Sequence, residues 1–294
     1  MRSRNVEDIL RGVGQAYAGL GSADPRLNPH GKIDFRLASL YQAWSKADPP
    51  PSRVKPLPMN LLPQVLSLAQ RANCPQALLE ARLLTMGVFF LLRPGEYIGK
   101  PDDTLDSLFR IRDFALCVGS RAINPCTCSL DDLRATTFAS LTFTRQKNGV
   151  RGKNIGHGRS GDPLLCPVLC IVELLLALRA LHAPSSTPLN VYSPVRPGGP
   201  FRYVLSADLT RRIRATLAVY PDASYHPRDV SARSTRAGGA MALLCAGVDR
   251  DHIRMIGRWR SDELFRYLHV QTQPIMNGLS AAMLRGGTFR LDAG

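Results

Sequence analysis

The chain has no uninterrupted apolar run long enough for a bilayer. Its longest such stretches, 86–92 and 164–178, are too short or are broken by Glu173, against the roughly 20 residues a helix needs to cross hydrocarbon. No membrane span is expected. The opening residues, MRSRNVEDILRG, turn acidic and helical where a secretory leader would carry its apolar stretch, so the expected setting is intracellular, with reduced thiols. The seven cysteines offer no zinc spacing: the close pairs are Cys126-Thr-Cys128 and Cys166-x-x-x-Cys170, and neither fits a structural site. No metal centre is expected. Cys166, Cys170 and Cys245 lie in apolar helical text and read as core thiols. Internal repeats are lacking too, as are low-complexity tracts other than one proline-rich stretch. Acidic residues are scarce: 23 Asp and Glu stand against 38 Lys and Arg, a formal charge of +15 and a pI near 10.0. Such an imbalance points to a polyanionic partner, with solubility by charge alone as the other reading.

What is present is ample material for a core. With 45% hydrophobic residues over 294 positions, the chain accommodates one large globular domain and a small one. Residues 1–47 hold apolar positions at helical spacing (Val6, Ile9, Leu10 and Val13, then Phe35, Leu37, Leu40 and Tyr41), which predicts a partial α-helical module. The proline-rich segment 48–58 predicts an extended linker, leaving 59–294 as the main domain. There, helices are predicted over 61–72 and 76–92, the second apolar enough to be buried and stopped at Arg93-Pro94-Gly95. Strands are predicted over 111–118 and 136–144, with a return over 151–155 after a turn at Lys147-Asn148-Gly149. Further helices are predicted over 167–182, 206–220 (with Arg211, Arg212 and Arg214 making its exposed side basic), 235–246, 249–256 and 261–270. The expected fold class is mainly α with a small antiparallel sheet.

The chemistry-bearing residues fall at the ends of these elements. Arg93 follows the buried helix, with Glu96 three residues on to orient its guanidinium. Lys147 sits at the hairpin tip, and Arg236 opens the run Ala237-Gly238-Gly239-Ala240, whose small residues allow close approach to another backbone or to a nucleic-acid strand. Trp259, in a Gly-Arg-Trp triplet, and Tyr267 complete the series. Two guanidiniums can clamp the oxygens of a phosphate in forked geometry while a phenol attacks phosphorus, a reaction that needs no metal and no nucleotide.

In this order, Arg-x-x-Glu after an apolar helix, a hairpin lysine, Arg-Ala-Gly-Gly-Ala, Gly-Arg-Trp-x-Ser-Asp and a following tyrosine, the segment 59–280 resembles the catalytic domain of the tyrosine recombinases, the phage-integrase superfamily, especially its eukaryotic retroelement- and transposon-borne members. The resemblance implies DNA cleavage and rejoining through a 3′-phosphotyrosyl intermediate, double-stranded DNA as partner, self-association on paired DNA sites, no cofactor, and a location on DNA, in the nucleus or the nucleoid according to host. It makes Tyr267 the nucleophile, Arg93 and Arg236 the phosphate clamp, Glu96 the support of Arg93, Lys147 the general acid with Lys153 as its alternative, and Trp259 a donor to a phosphate oxygen. Arg145, Arg151, Lys153 and Arg159 would meet the DNA backbone.

Two departures stand out. Arg233 occupies a position where the family commonly carries histidine or lysine, and a guanidinium donates but cannot take a proton. Tyr267 follows Trp259 by eight residues, one fewer than in many bacterial relatives. The competing readings are a degenerate integrase that only binds DNA, a type IB topoisomerase, and a basic structural or RNA-binding protein. For Trp259 the competing role is core packing, and His157 reads as a loop residue rather than a metal ligand.

Overall fold

The computed structural model describes residues 3–49, 54–100, 108–144, 152–194, 199–221 and 225–259. The chain divides into two compact units, Met1–Arg53 and Val54–Gly294. In the first, α1 (Ser3–Gly19) and α2 (Phe35–Ala47) form a helical pair. The Asp48 carboxylate accepts from the Ser3 amide and hydroxyl, the latter at 2.5 Å, joining the start of α1 to the end of α2. Asp34 caps α2 by accepting from the Arg36 amide, the usual device for a helix start.

The second unit is built round one helix. α3 (Leu61–Ala72) ends at Asn73 in left-handed backbone, and α4 (Pro75–Phe89) starts two residues later with proline at its first position, where the missing amide costs nothing. α4 is buried along Leu79–Val88 almost without interruption, because α3, α7 (Pro167–Ala180), α8 (Ser206–Val219) and α9 (Ser234–Cys245) all pack on it. A helix apolar on every side belongs at the centre of its domain, and removing one of its fully enclosed leucines, as in Leu83→Ala, costs about 2–5 kcal/mol.

Against this helical layer lies a four-stranded antiparallel sheet of β1 (Phe114–Val118), β2 (Arg121–Ile123), β3 (Phe138–Phe143) and β4 (Lys153–Gly158), in the order β2-β1-β3-β4. The short α6 (Leu130–Arg134) lies between β2 and β3. β3 and β4 form the anticipated hairpin, with Phe143 opposite Lys153 and Leu141 opposite Ile155. A two-stranded ribbon, β5 (Val191–Tyr192) with β6 (Arg202–Tyr203), precedes α8. The mainly helical class with a small antiparallel sheet is therefore the fold, and no described helix is long and apolar enough to cross a membrane.

Several expectations need correction. α4 does not run to Leu92 and is not stopped by Pro94: Phe90 caps it and Leu91 turns into left-handed backbone at φ 48°. The last part of the proline-rich segment is not a free spacer. Leu57 is enclosed, its amide donates to the Ser234 carbonyl, and the Lys55 amide donates to that of Asp229. β2 was not anticipated. Cys166 and Cys170 are buried, but Cys245 is exposed, since it closes the last turn of α9. Burial pushes the Cys170 thiol up to about 12. Arg212 does not join a basic face: its Nε lies 2.7 Å from the Glu80 carboxylate.

Candidate active site

The turn after α4 organises the site. Left-handed backbone at Leu91 is unfavourable for a branched residue without glycine's freedom, and here it directs the Leu91 carbonyl to two guanidiniums. Arg236 donates from Nη1 at 2.6 Å, and Arg258 donates from Nη2 at 3.1 Å. Arg93 follows two residues later as N-cap of α5 (Pro94–Tyr97), its own amide donating to Glu96 Oε2 at 2.8 Å and its Nη1 to Glu96 Oε1 at 3.3 Å. Its side chain keeps 29% exposure beside an almost closed Glu96, so its guanidinium is held from behind and open in front.

Arg236 lies within α9, and its neighbours explain the glycines beside it. A Cβ on Gly239 would overlap the Val88 carbonyl, and one on Gly238 would overlap the Leu57 carbonyl. The close approach these residues permit is thus to protein backbone, α4 on one side and the extended segment 54–58 on the other. Arg236 is 2% exposed; besides Leu91 it donates to the Gly257 carbonyl, and its guanidinium stacks on the Trp259 ring at 4.2 Å. Trp259 is itself buried with Leu91, Ala240, Met241 and Ile253. Core packing is therefore realised for Trp259, together with a cation–π contact.

Arg233 stands one turn before Arg236, at the N-cap of α9, and is exposed. Lys153 is exposed at the start of β4. Arg159 is exposed as well, but it donates from Nε to the Thr136 carbonyl and from Nη2 to that of Arg134, so part of its fork serves the loop before β3. Lys147, Tyr267, Arg145 and Arg151 lie outside the described residues.

Two residues in the site were not assigned from sequence. Arg258, expected to lie beyond a helix closed by Gly257, instead ends α10 (Arg250–Gly257) in left-handed backbone at φ 58°. Its side chain is 1% exposed and reaches Glu96 Oε2 at 3.0 Å. Burial pulls its guanidinium down to about 10, opposed by the Glu96 carboxylate and assisted by the like charge of Arg93, so it is still a cation at neutral pH. His157 is not in a loop: it lies in β4, its Nε2 donating to the Phe89 carbonyl at 2.9 Å and its ring edge-on to Phe90 at 4.7 Å. Burial lowers its pKa. A Gly-Arg-Trp triplet marks the first of these in the sequence; the period-two pattern of the strand could have located the second. Among the described residues, no group of three or more His, Cys, Asp or Glu is placed to hold a metal ion.

Fold and site together define a helical domain that gathers arginines about one turn at the end of its central helix, flanked by a β-hairpin. No family model matches the chain, and no curated protein matches it. Among solved structures it is similar to the Tn1549 transposon integrase in complex with transposon right end DNA, at 14% identity and a TM-score of 0.48, over 98% of this chain and 81% of that one. It is also similar to the same integrase in complex with circular intermediate DNA, at 14% identity and 0.47, over 95% and 79%.

Proposed function

We propose that this protein is a tyrosine recombinase that cleaves and rejoins DNA in site-specific recombination. The observation that supports this most is the convergence of Arg93 and Arg236, 143 positions apart in sequence, on the same α4 turn, Arg93 by succession and Arg236 through the Leu91 carbonyl. In the proposed reaction the Tyr267 phenol loses its proton to solvent as its oxygen bonds to phosphorus, the bond from phosphorus to the 5′ oxygen breaks, and Lys147 supplies the proton that the departing oxygen takes. Arg93 and Arg236, with Trp259 and Arg233 beside them, stabilise charge on the pentacoordinate phosphorus. Rejoining is the reverse, with a 5′ hydroxyl attacking the phosphotyrosyl ester, so the bond energy is conserved without a nucleotide. We further propose that residues 1–47 form a DNA-binding module, that Arg145, Arg151, Lys153 and Arg159 face the DNA backbone, and that protomers associate on paired sites.

A second reading has an observation of its own. Both terminal nitrogens of Arg236 are engaged by main-chain carbonyls, and Arg233 cannot accept the phenolic proton; a protein that binds duplex DNA without cutting it would carry both features. A nicked suicide duplex separates the readings. The recombinase forms a denaturant-resistant adduct that is lost in Tyr267→Phe while DNA binding persists. Binding with no adduct from the native chain favours the second reading, and relaxation of a single supercoiled plasmid without strand exchange between sites favours a topoisomerase.

A further inference from the structure

We propose that Arg258 is a positioning residue that holds the two clamp arginines in one geometry, Arg93 through Glu96 and Arg236 through the Leu91 carbonyl. The catalytic consequence rests on the cleavage reading above; the structural relay does not.

The contacts of Arg258 are those of a hub. Nη2 donates to Glu96 Oε2 at 3.0 Å and to the Leu91 carbonyl at 3.1 Å, while Nη1 donates to the carbonyls of Ile256 at 3.1 Å and Phe90 at 3.3 Å. Its guanidinium carbon lies 3.8 Å from the centre of the Phe143 ring. One side chain thereby touches the α4 turn, α5, α10 and β3. Glu96 divides its oxygens accordingly: Oε2 takes Arg258 and the Arg93 amide, and Oε1 takes the Arg93 guanidinium. An inner, enclosed arginine thus fixes the carboxylate that fixes an outer, open one. The shared Leu91 oxygen links the same hub to Arg236.

Packing alone does not account for this arrangement. An apolar side chain could fill the space over Phe143 without bringing a charge out of water, and an ammonium could neutralise Glu96. Serving four acceptors on three elements from one plane needs the forked guanidinium. The left-handed backbone at Arg258 is what sends the side chain inward, while Trp259 next to it stacks on Arg236.

The test uses the full chain with labelled arginine side chains. In the native protein the Arg93 Nη1 signal, from the nitrogen that donates to Glu96 Oε1, is expected to be resolved and slow to exchange. In Arg258→Lys it is expected to broaden toward the exposed arginines while cooperative melting is retained. On a nicked duplex, Arg258→Lys is expected to lower the rate of adduct formation about 10- to 100-fold, the scale known for partners that orient metal-ligating side chains, without weakening duplex binding. Arg258→Lys added to Arg93→Ala should cost less than the product of the two single losses, since residues acting through one another are not additive and only the branch through the Leu91 carbonyl to Arg236 is left to lose. Should Arg258→Lys not fold, Glu96→Gln leaves the carbonyl contacts of Arg258 in place and is expected to broaden Arg93 in the same way. An Arg93 signal that stays sharp in whichever of these variants folds overturns the relay, as do rate losses that multiply in the double variant. Absence of any adduct from the native chain defeats the cleavage reading, and the arginine spectrum then decides the relay by itself.

Discussion

Arg236 and His157 show how much of a residue's character is set by what surrounds it. A basic residue beside two glycines could as well have been a solvated cap, yet Arg236 is enclosed and spends its donors on Leu91 and Gly257. Arg236→Lys cannot serve both carbonyls from one ammonium, and we expect it to lower unfolding stability by about 2 kcal/mol, read from urea midpoints. His157 carries a pH prediction. Its folded pKa lies below the ordinary 6.5 because burial disfavours the imidazolium, so the unfolded chain takes up the proton first as pH falls. Its contribution is complete above 6.5 and is lost as pH falls through the lowered folded value. Melting temperatures from pH 7.5 to 5.5 should therefore fall more steeply for the native chain than for His157→Gln; equal slopes would show that this ring is not responsible.

Elements are held in place by absences as much as by contacts. The glycines of α9 are legible as close-approach residues, but only the packed structure says what approaches: the Val88 carbonyl of α4 at Gly239. Gly239→Ala forces two backbones apart, and we expect a loss of about 1–3 kcal/mol. Gly12 in α1 faces open space, and Gly12→Ala should instead stabilise that helix by roughly 0.5–1 kcal/mol. Thermal melts of the two variants would sort the cases, and similar effects at both positions would contradict the packing argument. The pair of buried Glu80 on α4 with half-buried Arg212 on α8 belongs to the same scale. From sequence, Arg212 sat with Arg211 and Arg214 as surface charge, because helical periodicity says which residues share a face and not which face meets a carboxylate.

At the scale of the whole molecule the dominant quantity is a formal charge of +15. If duplex DNA is the partner, affinity should drop steeply with salt, by about 10³ to 10⁵ between 50 and 200 mM for a footprint of six to ten phosphates. Fluorescence anisotropy at several salt concentrations measures the slope, and an affinity indifferent to salt would remove charge from the account of binding. Under the proposed cleavage, Tyr267→Phe should leave that slope unchanged while abolishing the adduct, because the proposal gives the hydroxyl to the chemistry and the charge to the encounter.

Periodicity, turn chemistry and composition were enough to mark the central helix, the hairpin of β3 and β4, the Asp249 cap of α10 and the mainly helical class, since each depends on neighbours within a few residues along the chain. The pairing of Arg93 with Glu96 was legible for the same reason. The meeting of Leu91 with Arg236 and Arg258 was not: it depends on a leucine taking left-handed backbone at the end of α4, which no propensity favours. It depends equally on two arginines more than 140 positions away being enclosed where their donors find main-chain carbonyls. Such contacts follow from which surfaces pack, and packing is a property of the folded whole.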